Sequence, residues 1–317
     1  MSSCSPKEPK PSQSTSPYEF DYEHSHQAEY KPQTELKQEQ YAPPTTAVSL
    51  PLIPSDSQAP SHSEELNVDI TPTPFKQESD SGKPRIAIVI DDLGYNYRNA
   101  ETIAELPYAL TLAVIPETPY AKQVAALAEK QQQELILHIP MEPLNRPKWE
   151  DGLSTHMQRA EFDSELKNLL DSEPRIVGVN NHGGSKLTAD RTRMEWLMEE
   201  LATRDLYFLD SRTNAQSQGI YAAQAHYIAH NQRDVFLDNQ QEEQAISEQF
   251  QLLRSIAKRH GQAVAIGHPH DATLAVLQQE LPALEAEGFE LVFCSELLTR
   301  YTTKNTDPQQ AKNTLSP

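Results

Sequence analysis

From residue 84 onward, short apolar runs rich in β-branched residues alternate with segments whose apolar positions recur at helical spacing. The runs cover 86–90, 110–115, 135–138, 176–179, 206–210, 264–267 and 291–294, with 227–229 as a further short one. Between them the helical spacing covers 120–132, 161–171, 191–204, 242–260 and 274–287, with Asp190 placed to cap the third of these. Such alternation predicts repeated βα units around a mainly parallel sheet, hence an α/β fold of the (β/α) barrel kind. A doubly wound open sheet is the alternative. It would place a Gly-rich phosphate turn after its first strand, where this chain has Asp91, Asp92, Leu93 and Gly94.

Residues 1–83 show no comparable period. They hold half of the 24 prolines, alternate Ser, Gln, Thr and Glu, and contain no Gly before Gly82. With 6 Lys against 13 Asp and Glu the segment carries a formal charge of −7, so repulsion and proline stiffness both favour an extended chain. It is expected to be a disordered N-terminal tether, 84–300 the folded domain, and 301–317 a second disordered tail. The low mean hydropathy of −0.66 fits that division, since polar tails dilute an ordinary core.

The net charge of −19 argues against nucleic acid or an anionic membrane surface as partner, because both require a basic face. The 2 cysteines, Cys4 and Cys294, make neither a disulfide framework nor a CxxC motif, and Cys294 sits in an apolar run. No apolar stretch reaches membrane-spanning length, and no charged segment followed by an apolar one marks an export signal. The start Met-Ser-Ser-Cys ahead of a polar, Pro-rich tail resembles the mature end of a bacterial lipoprotein. An envelope or periplasmic location with Cys4 as the lipidated residue is therefore an expectation.

Chemistry is sought where polar residues interrupt the runs, because the C-terminal ends of parallel strands form the working face of such folds. Asp91 and Asp92 end the first strand, His138 the third, followed by Glu142. The fourth leads into Asn180, Asn181 and His182, the fifth ends in Asp210 and Ser211, and a late strand ends before His268. Singly, each has a structural reading: acids after strands cap helices, and a lone His is usually a hydrogen-bonded loop residue. Together, carboxylates and imidazoles at the same ends of successive strands define a cluster. Two imidazoles and one carboxylate are a recurrent set for zinc or another divalent cation, with a second carboxylate left to take a proton from water.

The motifs Ile90-Asp91-Asp92-Leu93-Gly94, Leu137-His138-Ile139-Pro140-Met141-Glu142-Pro143, Asn180-Asn181-His182-Gly183-Gly184-Ser185, Leu209-Asp210-Ser211-Arg212-Thr213, Val235-Phe236-Leu237-Asp238 and Gly267-His268-Pro269 resemble the divergent polysaccharide deacetylase family. The resemblance runs through nearly all of 84–300 and implies a distorted (β/α) barrel of the polysaccharide deacetylase type. It also implies Asp91 as catalytic base, Asp92, His138 and His182 as metal ligands, and His268 as the acid that protonates the leaving group. Glu142, Asn181, Asp210 and Ser211 would stand in the second shell or touch substrate. Two departures stand out. Ordinary deacetylases take both metal histidines from one local motif, which is missing near His138, and Gly183 stands where the divergent family usually has Met.

The implied activity is metal-dependent removal of an acyl group, most simply acetyl, from a cell-envelope polysaccharide or peptidoglycan sugar. The implied cofactor is a divalent metal, with zinc expected, and the implied partner is an acylated glycan. A non-catalytic glycan-binding or scaffold protein keeping the same fold is the alternative. A phosphoesterase is a weaker one, since the motifs bring only Lys186, Arg212 and Arg233 as cations.

Overall fold

The computed structural model describes residues 73–76, 81–145 and 152–302, all within the compact unit Val68–Pro317. Most of the expected tether and tail lies outside the described residues. The part that is described changes the domain limits: Thr73–Lys76 forms strand β1 and pairs antiparallel with the last strand, β11 (Thr299–Thr302). The sheet thus takes in residues on both sides of the expected 84–300 limits.

The remaining strands are β2 (Arg85–Leu93), β3 (Thr111–Val114), β4 (Glu134–Met141), β5 (Gly178–Gly183), β6 (Tyr207–Asp210), β7 (His230–Gln232), β8 (Val235–Phe236), β9 (Gln262–Gly267) and β10 (Glu290–Leu291). Their order is β1-β11-β7-β6-β5-β4-β3-β2-β9-β8, with β10 beside β2. From β7 to β8 every pairing is parallel, and the sheet curls into an incompletely closed barrel with β1 and β8 at its ends. This is the (β/α) barrel that the βα alternation predicts, distorted as the family resemblance implies.

The helices are α1 (Tyr97–Ala104), α2 (Ala121–Gln131), α3 (Arg159–Asp171), α4 (Arg191–Arg204), α5 (Gly219–Ala225), α6 (Glu243–His260) and α7 (Asp271–Ala286). Each buries a stripe. In α6, Ile246, Phe250, Leu253 and Ala257 fall on one face, three basic residues fill the last turn where the helix dipole favours them, and Gly261 ends it in the left-handed region at φ 78°. Asp190 caps α4 as expected, accepting the Arg193 N–H at 3.1 Å. None of the helices among the described residues is long and apolar enough to cross a membrane.

Successive strand side chains point to opposite faces, and here both faces are buried. Ile86, Ile88 and Ile90 of β2 join the layer beneath the helices, whereas Ala87 and Val89 point inside the curl. On the inner side they meet Ala113, Ile136, Tyr207, Leu209, Val264 and Ile266, with Cys294 and Leu297 of a 3-10 turn closing the lower end. The apolar run 291–294 is thus a strand only in part: the chain turns after Leu291 to plug the barrel. The expected strand at 227–229 is displaced to β7, because Tyr227 and Ile228 complete the end of α5, with the Ile228 N–H bonded to the Ala223 carbonyl at 2.9 Å.

Candidate active site

The inner parity is apolar along the middle of the strands and turns polar at their upper ends, opposite a separate lower group that includes Thr111 and Glu134. Continuing each alternation, His138 follows Ile136 on β4, Asn180 and His182 follow Gly178 on β5, and His268 follows Val264 and Ile266 beyond β9. Asp91 follows Ala87 and Val89. Asp92 should then point outward. It does not, because the register with β3 shifts between Ile90 and Leu93 and Asp92 adopts φ 57°. This bulge turns two adjacent carboxylates toward one centre.

In that centre Asp92 Oδ1 lies 2.9 Å from His182 Nδ1 and 3.2 Å from His138 Nε2, and the two ring nitrogens are 3.2 Å apart. Donors around one cation at bonds of about 2.1 Å stand roughly 3.0–3.4 Å from each other, so these three atoms have the spacing of a facial ligand set. The tautomer fits as well. Asn180 donates through Nδ2 to Asp91 Oδ1 at 2.7 Å, so its Oδ1, 2.7 Å from His138 Nδ1, must accept the proton there. His138 therefore turns the lone pair of Nε2 into the cluster, the form a metal needs.

The charges follow from burial and neighbours. Burial would raise Asp92, but His182 and His138 outweigh it and hold the carboxyl well below its ordinary range. Burial raises Asp91, against the opposing pull of His138 and His268. Its Oδ2 stays 3.6 Å from His138 Nε2, near the cluster without being one of its closest donors. Burial would lower His268, yet the Asp238 carboxylate reverses this and the imidazole is pushed up to about 9. Asp238 Oδ1 accepts a hydrogen bond from His268 Nδ1–H at 2.9 Å, and Nε2 lies 3.9 Å from Asp92 Oδ2. Asp238 also accepts the backbone N–H of His268 and, at 2.8 Å, the hydroxyl of Thr273.

Other residues singled out from the sequence take supporting places. Asn181 has the opposite parity from Asn180 and ties loops together, accepting the Ser211 N–H at 2.9 Å and donating to the Gly183 carbonyl at 2.8 Å. Asp210, two residues after outward-facing Phe208, bonds the Ser217 hydroxyl at 2.7 Å and the Arg212 N–H at 2.8 Å, so it shapes the loop toward α5. The Ser211 hydroxyl is buried with no hydrogen-bond partner among the described residues. Asn180 and Asp238 received no role from the sequence, although both lie in its motifs. Inner parity was the available signal for Asn180; β8 is two residues long and offers no period from which to orient Asp238.

Glu142 is a staple. It accepts the Thr155 N–H at 2.8 Å, the Thr155 hydroxyl at 2.6 Å and the Lys186 ammonium at 2.6 Å, and among the described residues none of its hydrogen bonds reaches the cluster. Burial would raise this carboxyl, but Lys186 and Thr155 win and depress it from 4.5 to about 2. A depressed acid stabilises the fold above its unfolded value and loses that contribution as pH falls through the folded one. Glu142→Gln should therefore lower the melting temperature at neutral pH, and the gap to the parent should narrow between pH 4.5 and about 2. A gap independent of pH in urea melts would assign the loss to packing instead.

Fold and site together define the class: a curled (β/α) barrel with an inward-facing group of a carboxylate and two imidazoles that could hold a metal ion at its mouth. The chain belongs to the divergent polysaccharide deacetylase family, whose model matches residues 88–298. Among curated proteins it is 37% identical over 236 residues to the uncharacterized protein YibQ of Escherichia coli K12, covering 72% of this chain and 74% of that one. A Haemophilus influenzae protein is 37% identical over 209 residues, covering 66% of this chain and 74% of its own. The crystal structure of ATU2773 from Agrobacterium tumefaciens C58 superposes with a TM-score of 0.65 at 26% identity, over 69% of this chain and 91% of that one.

Proposed function

We propose that the chain is a metal-dependent hydrolase that removes an acyl group, most simply acetyl, from a cell-envelope polysaccharide or peptidoglycan sugar. The observation that carries this reading is the pairing of Asp91 and His268 beside the Asp92–His138–His182 set, all at the inner mouth of the barrel. A glycan-binding scaffold has no use for a base and an acid on either side of a cation site. Zinc is the ion we assign, because two imidazole nitrogens and one carboxylate suit it better than the all-oxygen sets of magnesium or calcium.

The cation, when bound, supplies positive charge that polarises the acyl carbonyl and acidifies water. Asp91, oriented by the Asn180 amide, takes the proton of the attacking water. His268, kept protonated by Asp238, delivers a proton to the departing amine or alcohol through Nε2. Ser211 offers a buried hydroxyl for a polar group of the substrate.

Acetate release by the zinc-loaded full chain from a panel of N- and O-acetylated glycans tests the reading. Release that chelation abolishes and zinc restores is expected. Binding of glycan without any release would turn the assignment to the scaffold. His182→Ala should lower zinc per protein, measured by plasma emission, because it removes one of few protein ligands; full occupancy would return His182 to a structural role.

A further inference from the structure

Resting on that reading, we infer that the face beside the catalytic mouth is an extended glycan subsite: an aromatic shelf of Tyr95 and Tyr120 joined to an amide-lined trough. The shelf borders a cleft of about 600 Å³ lined by Tyr95, Asn96, Tyr97, Arg98, Tyr120 and Gln123. Asn96 is shared with a second cleft of about 490 Å³, which adds Asn99, Gln241 and the loop Pro269–Ala272. The two therefore form one path. It starts beside the residue that follows His268 and ends on the tyrosines that follow the Asp91–Asp92 bulge.

Three observations point to an uncharged carbohydrate as occupant. Tyr95 is 47% exposed and Tyr120 41%, two partly exposed aromatic rings bordering the same cleft. The C–H face of a sugar ring is apolar and rests on such rings, while its hydroxyls need donors and acceptors of the kind that Asn96, Asn99, Gln123 and Gln241 provide. Finally, in a chain of net charge −19, the two clefts carry Arg98 and Asp271 in balance, with His270 between them. A polyanion gains nothing there, and a neutral polymer does.

The shelf is also held ready. Gly94, at φ 120°, brings the two tyrosine-bearing segments together: its carbonyl accepts the Tyr120 N–H at 2.9 Å, and a Cβ in its place would strike the Thr118 side chain. Tyr97 leans on Tyr120 with ring centres 6.2 Å apart, and Asn99 donates to the Pro269 carbonyl at 2.7 Å, locking α1 to the His268 loop. Preorganised rings bind at low ordering cost.

The experiment is titration calorimetry of the full chain with a β-1,4-linked N-acetylglucosamine pentamer and with the monosaccharide. The parent should prefer the pentamer by about tenfold or more, and Tyr95→Ala with Tyr120→Ala should lose about tenfold on the pentamer. Tyr95→Phe with Tyr120→Phe, which keeps the rings, should retain the preference, as should Tyr221→Ala on α5, a more exposed tyrosine elsewhere. A pentamer affinity unchanged in the Ala pair, or a parent that binds both sugars alike, overturns the subsite. Acetate release, followed in the same samples, reports separately on the hydrolase reading: binding lost in the Ala pair while the parent releases nothing would keep the subsite and sink the chemistry.

Discussion

Asp91→Asn should keep its zinc and its melting temperature and lose on the order of 100-fold or more in acetate release. The substitution preserves size and an oxygen to accept the Asn180 amide proton, which now holds Asp91 at 2.7 Å. What disappears is basicity. The proposed cation set is Asp92, His138 and His182, with Asp91 Oδ2 standing off at 3.6 Å from His138 Nε2, so occupancy should not depend on Asp91. Loss of zinc in the variant would instead make Asp91 a ligand. Release equal to the parent would end its role as base.

Asp238→Ala should destabilise the protein by about 3–5 kcal/mol, the usual result of removing one member of a buried charged pair. The carboxylate accepts both N–H groups of His268 that face it, together with the Thr273 hydroxyl, and all three partners are buried. Its loss leaves them without an acceptor and takes away the charge that holds the His268 proton. Asp238→Asn keeps one acceptor oxygen and should cost less than half as much in urea denaturation, while still lowering acetate release. An Asp238→Ala protein as stable as the parent would mean that the pair contributes alignment alone.

The barrel was legible because its signal is long-range and redundant: seven of the eight apolar runs overlap strands, and α4 falls on its expected limits. Short elements escaped. α1 has eight residues and α5 begins at a glycine, so neither offers enough turns to read. The site was legible as a set of strand ends, but the sorting within it depended on parity, which needs the strand's true extent. Reading a strand at 176–179 stopped short of β5 and left Asn180, Asn181 and His182 as loop residues without faces. Once β5 runs to Gly183, Asn180 and His182 go inward and Asn181 outward. Glu142 follows a different logic, since only the fold brings Lys186 and Thr155 to it.

The bulge at Asp91 and Asp92 has a consequence for how this barrel tolerates changes in length. A regular strand would send one of the two carboxylates into the helix layer, so the working pair depends on a single extra step in the backbone. Deleting Asp91 or Asp92, the two residues between Ile90 and Leu93, should restore even pairing with β3 and leave a single carboxylate at the strand end, abolishing acetate release however well the shortened chain folds. In a scan of single-residue deletions the turn after Gly94 should be the more forgiving segment, and the boundary between the two would mark the limit of the catalytic frame.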